Sequence, residues 1–357
     1  MSLGAAAGRV VIKIGTSSLM SEGRPDPAKL DALADAVVQL RADGVQPVLI
    51  ASGAIAAGDA LLLTPVGGQP AHSRQLAAAV GQGVLFDACR QALAHRGLLA
   101  AQILLTPPDL THPEHRDSAR TVVEESLASG LVPVVNENDA VMVRNNDVLA
   151  ALLAAALGAA RLVLLTDVPG LFESDPRRDA DARLIPEVLA MTPEVERLAG
   201  LAAQGLGTGG MPAKLCAAWI ASMAGVPTVI AGADSPDVVV RAVVGKPVGT
   251  LVHPRTPGKE LDLGRLWRAL GAPPAGRVVC RPEAVAAVRD GRPLTLGHSI
   301  TVEGTFTADS VVDVLVPGQG VIARGRASTA CDTITGMRHP TGTTVIHHVD
   351  YISFLEA

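Results

Sequence analysis

The sequence predicts an α/β protein with a mostly parallel sheet, followed by a small β-rich second domain. Over the first 250 residues, short apolar runs alternate with amphipathic helical patterns, and glycines or polar residues follow several of these runs directly. From Arg277 the pattern changes to short strands separated by glycines. A chain of 357 residues is long for a single core, which also favours two domains.

The elements of the first domain follow in order from the spacing of their apolar residues. Runs rich in Val, Ile and Leu predict strands, whereas three- and four-residue spacing predicts helices. The predicted strands are Val10–Ile14, Val45–Ala51, Leu98–Leu105, Val132–Val135, Arg161–Leu165 and Pro227–Ala231. The predicted helices are Pro27–Arg41, Ser73–His95, Asp117–Leu127, Asp147–Leu157 and Pro212–Met223.

Composition changes mark the expected domain boundaries. We expect a first domain over residues 1–253, a Pro- and Gly-rich linker with one short helix over residues 254–275, and a second domain over residues 276–357. The second domain has four clear predicted strands, which are Ser299–Val302, Val311–Val316, Val321–Ala323 and Val345–His348.

Composition also excludes several classes of function. Aromatic residues are only 2% and the net charge is −5, which argues against stacking platforms and basic surfaces for nucleic acid. The cysteines are far apart in sequence and predict reduced thiols; they are Cys89, Cys216, Cys280 and Cys331. The longest uncharged apolar stretch, Val148–Ala160, is shorter than the roughly 20 residues that a membrane span needs, and the N-terminus lacks the pattern of a signal peptide. We expect a cytoplasmic protein without membrane contact.

Polar residues follow four of the predicted strands at the point where each strand ends. These segments are Gly15-Thr16-Ser17, Ser52-Gly53-Ala54, Asn136-Glu137-Asn138-Asp139 and Thr166-Asp167. Each alone is an ordinary turn or helix cap. Because ligands bind at the carboxyl ends of strands in open α/β sheets, four such segments together predict a ligand site.

The segment GLGTGGMPAK, residues 205–214, is the strongest local signal for a phosphate site. Its glycines allow close backbone approach, a helix begins near Pro212, and Lys214 lies in the first turn. The classical P-loop pattern is absent. Lys13 lies within an apolar strand, where it either meets an anion or extends to water. Nearby carboxylates could hold Mg²⁺ or orient these lysines.

In this order the motifs resemble those of the glutamate 5-kinase family, a branch of the amino-acid kinase superfamily with a C-terminal PUA domain. The matching stretches are VVIKIGTSSL (10–19), SGAIAAG (52–58), AVGQ (79–82), NENDAV (136–141), LLTDVPGL (164–171), DPR (175–177), GLGTGGMPAK (205–214) and GAPPAG (271–276). The resemblance implies an αβα sandwich with a mostly parallel central sheet, plus a PUA-like β domain.

The resemblance further implies an activity and its residues. The reaction is the ATP-dependent phosphorylation of the γ-carboxylate of L-glutamate to L-glutamyl 5-phosphate, the first step of proline biosynthesis. The implied catalytic residues are Lys13, Asp147 and Lys214, with Asp147 orienting the two lysines. The implied ATP-binding residues are Lys13, Thr166, Asp167, Thr208, Gly209, Gly210, Met211, Pro212, Ala213 and Lys214. The implied glutamate-binding residues are Ser52, Gly53, Asp139 and Asn146.

The same resemblance implies ATP and Mg²⁺ as cofactors, proline as an inhibitor, a homo-oligomer, and a downstream glutamyl phosphate reductase as a partner. The chain departs from the family in a shorter segment between Asp139 and Asp147, and in a divergent PUA-like domain with no obvious RNA-binding face. Two alternatives remain open from sequence. One is a related kinase with another acceptor, and the other is an RNA-binding protein whose kinase domain senses metabolites.

Overall fold

Two separate sheets organise the chain. The computed structural model describes residues 8–62, 72–142, 145–200, 210–234, 237–255, 262–335 and 342–355. Contacts divide the chain into two units, Met1–Lys259 and Glu260–Ala357.

The first unit contains an 8-stranded sheet, a two-stranded ribbon and most of the helices. Its strands are β1 (Arg9–Ile14), β2 (Met20–Ser21), β3 (Arg24–Pro25), β4 (Gln46–Ala51), β5 (Ala100–Leu105), β6 (Val132–Glu137), β7 (Arg161–Thr166), β8 (Glu187–Val188), β9 (Thr228–Gly232) and β10 (Thr250–Val252). Its helices are α1 (Pro27–Ala42), α2 (Ala54–Leu61), α3 (Arg74–Ala94), α4 (Pro107–Thr111), α5 (Pro113–Ala128), α6 (Asn146–Ala156), α7 (Pro193–Gly200), α8 (Met211–Met223) and α9 (Val238–Val244).

The large sheet has the strand order β5-β6-β4-β1-β7-β9-β10-β8. The pairs from β5 to β9 are parallel, whereas β10 is antiparallel to β9. The predicted mostly parallel sheet is therefore confirmed. Because β6, β4, β1 and β7 are neighbours and run in the same direction, their carboxyl ends meet at one edge.

Strand β1 shows how the sheet divides its two faces. Val10, Ile12 and Ile14 are buried in a core formed with α1, α3 and α9. Because side chains alternate along a strand, Lys13 points to the opposite face, where α6 and α8 pack against each other. The alternation of β1 thus directs a lysine at the helices that carry Asp147 and Lys214.

The second unit is built on a 6-stranded sheet of order β12-β16-β15-β14-β11-β13. Its strands are β11 (Gly276–Cys280), β12 (Leu294–Thr295), β13 (Ser299–Gly304), β14 (Val311–Val316), β15 (Gly320–Ala327) and β16 (Thr344–Ser353). Its helices are α10 (Leu263–Leu270), α11 (Glu283–Arg289) and α12 (Cys331–Thr335). Helix α10, the short helix expected between the domains, packs against β15 and β16.

Candidate active site

A cavity of about 750 Å³ opens where β1, β4, β6 and β7 end. Most of the residues that the sequence assigns to a ligand site line its wall. They are Lys13, Ser52, Gly53, Asp139, Asn146, Thr166, Asp167, Gly210, Met211 and Lys214. The four polar segments that follow these strands therefore converge on one site.

Three buried charges form the centre of this site. Lys13 Nζ lies 2.8 Å from Asp147 Oδ1, and Lys214 Nζ donates a hydrogen bond of 3.4 Å to Asp147 Oδ2. Asp147 has no exposed surface, while Lys13 is 5% and Lys214 is 4% exposed. Two ammonium groups thus share one carboxylate, and the lysines border the cavity while Asp147 does not.

The local structure explains why Asp147 is available to both lysines. Asn145 caps α6, because its side-chain oxygen accepts a hydrogen bond of 2.8 Å from the Asp147 backbone N–H. Asp147 therefore lies in the first helical turn, where the helix dipole also favours a negative charge. Lys214 lies in the first turn of α8, which packs on α6.

The charge states follow from the balance of burial and neighbours. Burial alone would raise the pKa of Asp147, but the charges of Lys13 and Lys214 outweigh it and lower that pKa. Burial lowers the pKa of Lys214, and the charge of Asp147 partly opposes this effect. With both lysines protonated, the triad carries one net positive charge beside the cavity. Such a site attracts an anion.

A neutral hydrogen-bond network lies beside the triad. Asn146 Nδ2 donates to Ser52 Oγ at 3.1 Å and to Asn136 Oδ1 at 2.8 Å, and its Oδ1 accepts from the Glu137 backbone N–H at 3.0 Å. Asn136 Nδ2 in turn donates to Gln82 Oε1 at 2.6 Å. These hydrogen bonds fix the orientation of the Asn146 side-chain amide and hold it beside Ser52 at the end of β4.

The chain after β4 reaches the cavity through a glycine. Gly53 has φ +134°, which residues with a Cβ rarely adopt, and a Cβ there would lie 3.1 Å from Met20 Cγ. This turn starts α2, whose first residues line the cavity. Helix α3 then packs closely on α2, because a Cβ at Gly81 would lie 1.9 Å from the carbonyl oxygen of Ala54.

Comparisons with known proteins agree with this architecture. The chain matches the amino acid kinase family over residues 8–232 and the PUA domain over residues 276–349. The glutamate 5-kinase of Trichlorobacter lovleyi is 40% identical over 333 residues, which cover 91% of this chain and 88% of that protein. The glutamate 5-kinase of Shewanella amazonensis is 40% identical over 365 residues, which cover 96% and 95%. The chain belongs to the glutamate 5-kinase family.

The fold of this glutamate 5-kinase family member is also found in a more distant kinase. A carbamate kinase from Giardia lamblia, solved with bound AMP-PNP, has 17% identity and a TM-score of 0.53, and the match covers 71% of this chain and 100% of that one. At this identity the likeness shows the fold alone. In the described part of the chain, no helix combines the length and apolar character needed to cross a bilayer.

The family member's glycine-rich segment is described only from Gly210 onward. Thr208 and Gly209 lie outside the described residues. Gly210 and Met211 line the cavity. Pro212 and Ala213 lie in the first turn of α8 and do not line the cavity. Thr166 and Asp167 line the cavity at the end of β7, where the Thr166 hydroxyl donates to Asp167 Oδ1 at 3.0 Å.

Sequence reasoning gave no role to several residues that line the cavity or belong to the hydrogen-bond network beside it. Asn136 and Gln82 lie in the stretches NENDAV and AVGQ, which indicated the family but gave these two side chains no role. Arg177 belongs to the DPR stretch and lines the cavity. Asp59 and Arg74 also line it, although no motif pointed to either. Asp59 lies on α2, and the packing of α3 on α2 brings Arg74 to the same cavity.

Chemically, the arrangement suits transfer between two anions in this glutamate 5-kinase family member. The lysines supply positive charge, the strand ends supply hydroxyl and amide groups, and Asp139 adds a carboxylate whose pKa burial raises to about 6. In the described part of the chain, no histidine or cysteine lines the cavity. With its lysines, hydroxyls and amides the site offers electrostatic stabilisation and positioning.

Proposed function

We propose that this chain transfers the terminal phosphoryl group of ATP to the side-chain carboxylate of L-glutamate. An acceptor oxygen forms a bond to the γ-phosphorus, the bond to the β,γ-bridging oxygen breaks, and L-glutamyl 5-phosphate and ADP are released. The observation that carries this proposal is the pair of buried ammonium groups, Lys13 and Lys214, that share Asp147 beside the cavity. Cations at this position can neutralise charge on the transferred group.

The chemistry fits the residues present. A carboxylate acceptor is already ionised near neutral pH, so no general base is needed. The task that remains is to hold two anions in line and to neutralise their mutual repulsion. Asp147 has no access to the cavity, and we therefore assign it a positioning role through its two lysines.

We assign two groups of residues to the two substrates. The ATP phosphates and nucleotide would contact Lys13, Thr166, Asp167 and the segment Thr208–Lys214. The amino acid would contact Ser52, Gly53, Asp139 and Asn146. Support for this division comes from the positions of the second group at the ends of β4 and β6, beside the network of Asn146, and from the kinase family to which the chain belongs.

Magnesium would accompany the nucleotide. Mg²⁺ in such sites keeps several waters and binds one or two carboxylates in addition to phosphates. Asp167, beside Thr166 on the cavity wall, is suited to this role. Among the described residues there is no group of three His, Cys, Asp or Glu side chains that could hold a metal ion. The residues therefore fit an ion that arrives with ATP, and that ion would supply charge neutralisation at the phosphates.

The proposal is tested by measuring ADP release and hydroxylamine-trapped acyl phosphate with Mg-ATP and L-glutamate. Glutamate-dependent hydroxamate is the expected result. Product with aspartate or N-acetylglutamate but none with glutamate would contradict the acceptor assignment and leave the ATP site in place. No product with any acid would contradict the kinase activity itself.

Further features of the family are proposals for this chain. We expect inhibition by proline at the glutamate site, assembly into a homo-oligomer, a cytoplasmic location, and a reductase that consumes the labile acyl phosphate. Adding proline to the hydroxamate assay tests the first of these. Full activity at millimolar proline would show that the shortened segment after Asp139 does not support feedback.

A further inference from the structure

A hairpin of residues 171–185 follows the end of β7, and its two arms are joined by an antiparallel bridge between Phe172 and Leu184. Its tip brings Arg177 to the wall of the cavity. Val168, which precedes the hairpin in the chain, lines the same cavity. The hairpin therefore contributes to the cavity on the side that the proposed function assigns to ATP.

The tip of this hairpin is held by its own hydrogen bonds. Asp175 Oδ1 accepts a hydrogen bond of 3.1 Å from the Arg177 backbone N–H. The Asp175 carbonyl oxygen accepts from the backbone N–H groups of Arg178 and Asp179, both at 2.9 Å. Ser174 Oγ donates to Asp179 Oδ2 at 2.6 Å. Because the tip is tied internally, a shift at the base of the hairpin would move the tip as a unit.

Thr250 connects the base of the hairpin to the sheet. Its Oγ1 donates a hydrogen bond of 2.6 Å to the Ile185 carbonyl oxygen and accepts one of 2.8 Å from the Leu171 backbone N–H. The two hairpin residues also bond to each other, because the Ile185 N–H donates to the Leu171 carbonyl oxygen at 2.8 Å. Thr250 lies on β10 and has no exposed surface. One buried hydroxyl thus holds both arms.

The space around this hydroxyl is small. A Cβ at Gly170, the residue before the hairpin, would lie 2.7 Å from Thr250 Oγ1 and 2.9 Å from Leu184 Cδ1. The backbone that leads into the hairpin therefore passes close to the hydroxyl. Removing the hydroxyl would leave a buried backbone N–H and a buried carbonyl oxygen without this partner, which is costly.

We propose that Thr250 is a positioning residue for the phosphoryl donor and acts through the 171–185 hairpin, an assignment that rests on the proposed function. Thr250 itself does not line the cavity. Its hydroxyl sets the position of the hairpin tip, and through the tip that of Arg177 beside the nucleotide. Binding of ATP then depends on the hydroxyl, whereas binding of glutamate at the ends of β4 and β6 does not.

Thr250→Val tests this assignment because it removes the hydroxyl at nearly constant volume. We expect KM for ATP to rise about 10-fold, while kcat and KM for glutamate change by less than about 2-fold. Thr250→Ser keeps the hydroxyl and should restore KM for ATP. The matched control is Thr228→Val on the paired strand β9, since Thr228 is equally buried and its hydroxyl has no hydrogen-bond partner in the described part of the chain.

Limited proteolysis with trypsin follows the hairpin without relying on turnover. Arg178 and Arg183 lie in the hairpin, and their side chains are mostly exposed. Under native conditions, Thr250→Val should speed cleavage at these two residues about 10-fold relative to wild type and to Thr228→Val. Mg-ATP should slow this cleavage in wild type at concentrations that have little effect in Thr250→Val.

The outcomes separate this assignment from the proposed function. If Thr250→Val raises the two Michaelis constants equally, or if Thr228→Val has the same effect, the hydroxyl has only a general structural role and the assignment is wrong. An unchanged KM for ATP in Thr250→Val would also overturn it. If wild-type protein phosphorylates no glutamate, the proposed function fails. Loss of Mg-ATP protection in Thr250→Val would then still support the assignment, and equal protection in both proteins would contradict it.

Discussion

The two units of this chain each bury a carboxylate against cations, and they do so in different ways. In the first unit Lys13 and Lys214 share Asp147 at 2.8 and 3.4 Å. In the second unit Arg324 Nε donates to Asp313 Oδ1 at 2.7 Å, and the two residues are direct cross-strand partners on β14 and β15. Arg324 also lies over the ring of Phe354 at 6.0 Å.

The two buried sites differ in their charge balance and in their access to a cavity. The pair in the second unit is neutral and lies within a sheet, where Arg324 is 1% exposed. The triad in the first unit has one surplus cation, and its lysines border a cavity. A buried pair within a sheet contributes at most to stability and structural specificity, whereas ammonium groups that border a cavity can also act on an anion that enters it. Access to a cavity therefore distinguishes the candidate site from the pair in the second unit.

The largest expected effect comes from removing the surplus cation. Lys214→Ala leaves Lys13 and Asp147 as a neutral pair, so the fold should survive while phosphoryl transfer loses a charge at the reacting group. We expect kcat to fall by about 1,000-fold. The hydroxamate assay and thermal unfolding measure the two effects, and Lys246→Ala, an exposed lysine away from the cavity, is the control. Near-normal turnover would remove Lys214 from the mechanism.

Removing the carboxylate from each centre compares them directly. Asp147→Asn leaves two adjacent cations, and Asp313→Asn removes the carboxylate of Asp313 from the buried guanidinium of Arg324. Both should lower the free energy of unfolding by about 3 kcal/mol, since breaking a buried ion pair is costly. Sulfate should recover stability in Asp147→Asn, because an anion can enter the cavity, and should have little specific effect in Asp313→Asn.

Chemical denaturation with and without sulfate checks this contrast. Equal recovery in both variants would mean that sulfate stabilises the fold through its general exclusion from the protein surface. It would contradict specific binding of sulfate beside the triad. A double variant, Asp313→Leu with Arg324→Leu, should recover most of the lost stability in the second unit.

The comparison also shows what sequence can predict. Apolar runs that alternate with helical patterns predicted the sheet, and the polar residues after β1, β4, β6 and β7 predicted a ligand site at the edge where the cavity opens. The position of Lys13 within an apolar strand fits an anion partner and solvent equally well, and the family resemblance implies Asp147 as its neighbour. The structure places Asp147 Oδ1 2.8 Å from Lys13 Nζ. Helix α2 was not predicted from sequence. It is only 8 residues long, and its first turn, Ala-Ile-Ala-Ala, has no polar residues that would mark an exposed face.

Residues that reach the site through tertiary packing were harder to predict. Arg74 and Gln82 lie on α3, which packs on α2. Arg74 lines the cavity, whereas Gln82 accepts a hydrogen bond from Asn136 beside it. No local pattern marks such residues, because their neighbours at the site come from distant parts of the chain. In the second unit, the cross-strand partnership of Asp313 and Arg324 likewise depends on the register of β14 and β15.

A neutral contact should have a smaller effect than either charge centre. Gln82→Leu removes the acceptor for Asn136 Nδ2 and leaves a buried amide donor without this bond. We expect KM for glutamate to rise about 10-fold, with KM for ATP unchanged, because Asn136 helps to orient Asn146. Steady-state kinetics with each substrate varied in turn measures this. Gln75→Leu, an exposed change on the same helix, is the control, and equal shifts in both constants would indicate general distortion of α3.

The smallest effect should be a pH dependence of stability. As the pH rises, two carboxylates of the first unit should change the free energy of unfolding in opposite directions. The pKa of Asp147 is lowered in the folded state, so Asp147 stabilises the fold above pH 3.8 and this contribution is lost as the pH falls below that value. The pKa of Asp139 is raised from 3.8 to about 6, mainly by burial, so the folded state favours its protonated form. Stability from Asp139 is therefore present below pH 3.8 and is lost as the pH rises through about 6.

Asp139→Asn tests this sign, because the amide cannot ionise. Without ligand, the variant should be more stable than wild type by about 1–2 kcal/mol at pH 8, after allowance for partial exposure, and the difference should vanish near pH 4. Urea unfolding across this range measures the difference. A variant that is less stable than wild type at pH 8 would mean that Arg74 compensates the charge of Asp139 fully. The carboxylate would then already be paired before any amino acid binds.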